Sequence, residues 1–257
     1  MEEKLKAFER LLNVMDDLRA KCPWDKKQTI DSLRHLTIEE TYELSDAILD
    51  QDMKGIKEEL GDILLHMVFY AKIGEEKNEF NIADVLNAVC EKLIFRHPHI
   101  YGDVTVADEE EVKRNWEQLK LKEGKKSVIE GVPRSLPAMV KAYRLQEKVK
   151  QVGFEWDEAS GALEKLKEEI DELEEAQLNK DQAEMEKEIG DVLFSVINYA
   201  RYLKIDADKA LELTNKKFMA RFRWMEAAAI EQKKLLQDMT LAEMDVLWTE
   251  AKKSLAT

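Results

Sequence analysis

Glu39, Glu40, Glu43, Glu59 and Asp62 recur as Glu168, Glu169, Glu172, Glu188 and Asp191, every position displaced by the same 129 residues (168 − 39). Each copy reads Glu-Glu-x-x-Glu and then, sixteen residues beyond its last Glu, Glu-x-Gly-Asp, with Gly61 and Gly190 at the glycine. Carboxylates three apart on a helix share a face, so Glu40 with Glu43 makes one acidic pair and Glu59 with Asp62 another. Asp50, Gln51, Asp52 and Gly55 supply a turn between them, and two antiparallel helices then converge four carboxylates on one spot. Four anions a few ångströms apart resist ionisation unless a cation offsets them. With no His or Cys in the pattern the expected ion is hard, Mg2+ or Mn2+ rather than zinc, and carboxylate-bound Mg2+ commonly shares its shell with substrate phosphates. The plain alternative is a solvated helix face in a chain with 54 acidic residues. Duplication in register weighs against it, as do the two glycines, each costing about 1 kcal/mol inside a helix and pointing to a packing reason.

Helices must hold these acids. Apolar residues recur at three- and four-residue spacings, as in Leu5, Phe8, Leu11, Leu12, Met15 and Leu18, which predicts amphipathic helices and no strand. The expected elements are 3–21, 28–50, 54–77, 81–96 and 108–122, then 135–151, 158–178, 181–203, 206–232 and 240–253. The segment 122–137 holds two of the nine Gly and two of the four Pro and breaks the periodicity, so it reads as a linker. The expected organisation is a first repeat over 1–121, the linker 122–137 and a second repeat over 138–257. The repeat extends past the acids. Trp24-Asp25 matches Trp156-Asp157 at a displacement of 132, and Lys92-x-x-x-Arg96 matches Lys217-x-x-x-Arg221 at 125, so length differences fall in loops around a unit of four helices.

A formal net charge of −14 makes a nucleic-acid partner a poor expectation, because phosphate-backbone binding runs on clustered Lys and Arg. A small phosphorylated ligand held through metal ions stays compatible. The first residues carry no apolar signal-peptide core and no stretch approaches the roughly 20 apolar residues of a membrane span. Cys22 and Cys90 form no close-spaced motif, so a reduced, cytoplasmic setting is expected. No Gly-x-x-x-x-Gly-Lys-Ser/Thr loop is present, which argues against a motor-type ATPase.

Lys217 and Arg221, one helical turn apart and preceded by Asn215, are placed to contact a triphosphate; the alternative is that they face solvent or pair with acids. The first repeat keeps Lys92 and Arg96 but has Cys90 where Asn215 stands and turns at Pro98, which points to a weaker or altered first site. Trp24 and Trp156 are candidates for stacking on a base, with a core tryptophan followed by a helix-capping Asp as the favoured alternative. His97 and His99 flank Pro98 and read as a turn rather than ligands. His66 has Ser195 as its counterpart, so no histidine is shared between repeats.

CPWDKKQT, LTIEETYELSDAI, EELGDILLHMVFYA, RHPHIYGD, GVPRSLPA, VGFEWD, EEIDELEEA and EIGDVLFSVINYAR, taken in order along essentially the whole chain, closely resemble the bacterial MazG family of two-repeat nucleoside triphosphate pyrophosphohydrolases. The resemblance implies an all-α enzyme, a tandem of two four-helix bundles forming an intertwined homodimer. It further implies Mg2+-dependent hydrolysis of ribo- and deoxynucleoside triphosphates to monophosphate and pyrophosphate. Carried over, the ligands would be Glu169, Glu172, Glu188 and Asp191 in the second repeat and Glu40, Glu43, Glu59 and Asp62 in the first, with the second repeat expected to turn over substrate. Glu168, one turn from Glu172, would orient the attacking water or serve as an outer base; a salt-bridged surface Glu is the equal alternative. Two other readings stay open: a narrow pyrophosphohydrolase for dUTP, dCTP or phosphoribosyl-ATP, and a helical scaffold without catalysis.

Overall fold

A computed structural model describes residues 1–108, 111–112, 115–116, 119 and 127–255. It divides into two compact units, 1–116 and 117–257. Helices are the regular elements of the described residues, which contain no strand. Unit 1 contains α1 (Glu2–Lys21), a 3-10 turn (Asp25–Lys27), α2 (Ile30–Leu49), α3 (Met53–Glu76), α4 (Ile82–Arg96) and the single-turn α5 (Pro98–Tyr101). Unit 2 contains α6 (Ala138–Lys150), α7 (Ala159–Leu178), α8 (Gln182–Tyr202), α9 (Ala207–Glu231), a 3-10 turn (Leu236–Asp238) and α10 (Leu241–Ser254). The helix expected over 108–122 and the first part of the linker lie partly outside the described residues.

Sequence signals at the helix ends explain these boundaries. Thr29 and Ser32 form a reciprocal capping box at the start of α2, Asn81 and Asp84 do so for α4, and Thr240 and Glu243 for α10. Asp52, Asp181 and Asp206 accept backbone N–H bonds in the first turns of α3, α8 and α9. The two hairpins that carry the acids, α2–α3 and α7–α8, close in the same way. Gln51 and Lys180 adopt left-handed φ of 55° and 54°, and the N–H of the following Asp reaches back to the carbonyl of Ala47 at 2.9 Å and of Ala176 at 3.1 Å. These positions correspond under the 129-residue shift. Both hairpins thus share one register.

The core of unit 1 is Met15 of α1, Leu33 of α2 and Val68, Phe69 and Ile73 of α3, bordered by Phe8, Leu11, Leu12 and Leu36. Arg19 locks this packing: its Nε donates to Glu76 at 2.9 Å, and one terminal nitrogen donates to the carbonyls of Asp25 and Gln28. Unit 2 has an analogous device, Arg201, paired with Glu155 at 3.0 Å and Glu147 at 3.5 Å, while the Tyr202 hydroxyl donates to the Trp156 carbonyl at 2.7 Å. In each unit an arginine ties the tryptophan loop to the second helix of the acid hairpin. A separate core of Met225, Ala229, Met239, Leu247 and Ala251 joins α9 to α10.

Three expectations are corrected here. Trp24 and Trp156 are 56% and 44% exposed, so neither is a core residue. The aspartates after them do not cap the helices that follow: Asp25 opens the 3-10 turn while Thr29 caps α2, and the N-cap position of α7 is Glu158 with no side-chain bond. Gly61 and Gly190 have no packing reason within the chain, since a Cβ added at either would meet nothing within 4 Å. Beside them run two matching exposed apolar stripes, Leu60, Leu64 and Met67 on α3 and Ile189, Leu193 and Val196 on α8.

Candidate metal centre

The hairpins do to the carboxylates what their spacing predicts. One oxygen each of Glu40, Glu43 and Glu59 lies within 4.8 Å of the others, and so does one each of Glu169, Glu172 and Glu188. The charge of Asp62 disfavours ionised Glu40 and Glu59, and that of Asp191 acts likewise on Glu188, although neither aspartate belongs to its trio. Burial together with the charges of Asp62, Glu43 and Glu59 pushes the Glu40 carboxyl up to about 6. Burial, then Glu43 and Asp62, raises Glu59; burial, then Glu169, raises Glu172; burial, then Glu172 and Asp191, raises Glu188. Oxygen-only donors that repel one another and sit partly shielded from water fit a hard divalent cation, which would relieve the repulsion they otherwise carry.

The second cluster opens into a cavity of about 310 Å³ lined by Glu172, Glu175, Ala176, Asn179, Asp181, Glu184 and Glu188. This space lies at the turn end of the α7–α8 hairpin. Glu169, at the inner end, is only 6% exposed. A residue that the acidic pattern does not flag meets it there: the Lys165 Nζ lies 2.8 Å from Glu169 and 2.7 Å from Glu168. The corresponding residue of the first repeat is Leu36, packed against the unit 1 core. Shifting the sequence against itself by 129 would have exposed this exchange, because every acid matches and this neighbour does not. Glu168, the proposed outer base, is thus the ion-paired partner of a lysine.

The basic residues occupy other helices. Lys217 and Asn215 are exposed on α9, with the Asn215 amide donating to Glu212 at 3.2 Å. Arg221, one turn on, places its guanidinium carbon 5.6 Å from the Trp248 ring centroid on α10, and Phe218 packs on the same ring at 5.3 Å. The leading causes of the carboxylate shifts in the second cluster are burial and charged residues of α7 and α8. Trp248 lies in a helix beyond the stretch the two repeats share, which is why comparing them does not flag it. In the first repeat Lys92 is exposed near the end of α4, and Arg96 is its last residue. His97 accepts the cap position there, its Nδ1 2.6 Å from the Leu93 carbonyl and its ring edge-on to Trp116 at 4.8 Å, a turn rather than a metal site. Trp156 lies over the first turn of α7, where a Cβ at Gly161 would come within 2.6 Å of its Cδ1.

The two acid hairpins coincide with two matches to one family, described as the MazG nucleotide pyrophosphohydrolase domain, over residues 28–101 and 158–225. The chain belongs to the MazG family. It is 42% identical to the nucleoside triphosphate pyrophosphohydrolase/pyrophosphatase MazG of Thermotoga maritima, over 98% of each chain. It is 38% identical to the nucleoside triphosphate pyrophosphohydrolase of Escherichia coli K12, over 96% of this chain and 97% of that one. Protein YabN of Bacillus subtilis is 43% identical over 98% of this chain and 53% of its own length. The first MazG domain runs from Gln28, just before the Thr29 cap, to the end of α5. The second runs from the N-cap of α7 through Lys217 and Arg221 to Met225 in the last third of α9, leaving α10 and Trp248 outside.

Proposed function

We propose that this chain hydrolyses nucleoside triphosphates, ribo and deoxy alike, to the monophosphate and pyrophosphate, using Mg2+ held by the hairpin carboxylates. The observation that carries the reading is the pair of convergent carboxylate trios, each on a hairpin of the MazG domain. Glu169, Glu172, Glu188 and Asp191 would hold the ion in the second repeat, and Glu40, Glu43, Glu59 and Asp62 in the first. Mg2+ bound there would neutralise phosphate charge and polarise the phosphorus under attack, with Mn2+ able to replace it. Glu168 is one turn from Glu172 and is the side chain suited to orienting the water once its lysine partner moves. Lys217 and Arg221 supply cations for the triphosphate, and Trp248 orients Arg221. Exposed Trp156 offers an aromatic face for a base.

The active form is proposed to be a homodimer. The matched apolar stripes on α3 and α8, and the stacked, exposed Phe218 and Phe222 on α9, need a covering surface of the kind a second copy provides. No described helix is long and apolar enough to cross a membrane. The test is pyrophosphate release from the eight common ribo- and deoxynucleoside triphosphates with Mg2+. Comparable rates across bases support the broad activity, and a single active nucleotide would replace it with the narrow one. No release from any of them, with no Mg2+-dependent rise in melting temperature, would leave only the scaffold.

A further inference from the structure

We propose that Lys165 is the resident counter-ion of the second carboxylate cluster and sets the order of binding there. Without nucleotide a divalent cation enters only the first cluster; at the second it enters together with the polyphosphate. This rests on both clusters being metal sites, as proposed above.

The two clusters have the same acids and different cations. In the second, the Lys165 ammonium lies within 2.8 Å of Glu169, the most buried of the acids, and within 2.7 Å of Glu168. It therefore occupies the charge-neutralising position that a metal ion would take on the same carboxylate. In the first, Leu36 stands at that place among core side chains, and no ammonium is available from it. The contrast continues at the next helix. Lys187, beside Glu188, has Glu58 as its counterpart, and Glu58 adds its charge to those destabilising ionised Glu59. Glu58 is itself paired with Lys54 at 3.5 Å, so the difference between the clusters lies beside the inner acid, where the first has Leu36 and the second an ammonium, and the first favours a bare cation. The second already contains part of its compensation.

A divalent ion on Glu169 would stand within a few ångströms of the ammonium, and two like charges at that range in a partly buried site oppose one another. An ion arriving alone would have to displace Lys165 from both Glu168 and Glu169, whereas a polyanion arriving with it offsets both positive charges at once. A polyphosphate supplies that anion. The arrangement makes metal loading at the second cluster conditional on substrate, while the first loads regardless. Lys165 acts here through the carboxylates it holds, as a positioning residue.

The experiment is Mn2+ binding to the full-length chain, followed by paramagnetic resonance and calorimetry. It is run with and without a triphosphate analogue bearing a methylene group between its α and β phosphorus atoms. Wild type is expected to take up Mn2+ without nucleotide at a site that Glu43→Gln removes and Glu172→Gln leaves intact. With the analogue, further uptake that Glu172→Gln removes should appear. Lys165→Leu, which copies the first repeat, should open the second cluster to Mn2+ without nucleotide, raising its affinity on the order of tenfold. Lys165→Gln serves if the leucine variant loses its helical signal. Nucleotide-independent filling of both clusters in wild type would overturn the proposal, as would unchanged affinity in both Lys165 variants. No Mn2+ uptake under any condition would instead overturn the metal-site reading beneath it.

Discussion

Arg221 on α9 and Trp248 on α10 face one another, the guanidinium carbon 5.6 Å from the ring centroid. Lys252 approaches the same ring at 5.9 Å and Phe218 at 5.3 Å, so the indole is a platform on which cations of the last two helices are arranged. A cation–π contact at a partly exposed site contributes about 0.5–1 kcal/mol, so Trp248→Ala should raise KM roughly two- to fivefold with little change in kcat. Trp248→Phe should recover most of the loss. Steady-state kinetics on both variants check this, and an unchanged KM in Trp248→Ala would remove the indole from the site.

The two repeats can be separated by parallel substitutions. Glu172→Ala is expected to lower pyrophosphate release by at least about a hundredfold, the scale seen when a fixed electrostatic element of a phosphoryl or acyl site is removed. Glu43→Ala should retain most of the activity. Both residues are exposed members of their trios, so the circular dichroism of the helices should not change.

Glu40 links the first cluster to pH. Its carboxyl, pushed up to about 6 by burial and then by Asp62, Glu43 and Glu59, binds its proton more tightly in the folded chain than in the unfolded one. Its contribution to stability is therefore present below the ordinary value of 4.5 and is lost as pH rises through about 6. In chelator, Glu40→Gln should lose less melting temperature than wild type between about pH 5 and about pH 7. Added Mg2+ competes with that proton, so it should stabilise wild type more at about pH 7.5 than at about pH 5.5. Identical Mg2+ effects at the two pH values would contradict the coupling.

Glycines give opposite expectations according to what surrounds them. A Cβ at Gly74 would lie 2.8 Å from both the Phe80 ring and the Phe80 carbonyl oxygen, so Gly74→Ala should destabilise unit 1 by about 1–3 kcal/mol. Gly190→Ala meets nothing within 4 Å and should gain the helix-propensity difference, about 0.5–1 kcal/mol, in thermal unfolding of dilute protein. A loss at Gly190 would mean that a second molecule lies against that face.

Much of this was legible in the residues because it depends on local rules. Apart from the single-turn α5, which was not expected, and the helix expected over 108–122, which lies partly outside the described residues, the helices fall within about three residues of their expected positions, since capping residues such as Thr29, Asp52, Asp181 and Thr240 mark where orphan N–H groups find acceptors. The convergence of Glu40 with Glu59, and of Glu169 with Glu188, followed from helical period and one turn. What failed depended on tertiary neighbours. Nothing in the sequence around Trp156 says that its ring would lie outside the core over Gly161. Nor does a solvent-type residue such as Lys165 announce that it will reach a buried carboxylate one turn away. The placement of Trp248 against Arg221 depends on how α10 folds back on α9, and that contact crosses an irregular stretch no periodicity describes.

The turns at Gln51 and Lys180 work as calipers. Each is held at both ends, by a backbone bond to Ala47 or Ala176 on one side and an Asp cap on the other, so the jaw cannot be reset by small steps. One residue added inside either hairpin would rotate an acid pair by about 100° and scatter the carboxylates. An insertion outside the hairpins leaves their register intact. That is where the offset between the repeats changes, from 132 at the tryptophans to 125 at the Lys–Arg pair, while across all five acids it holds at 129.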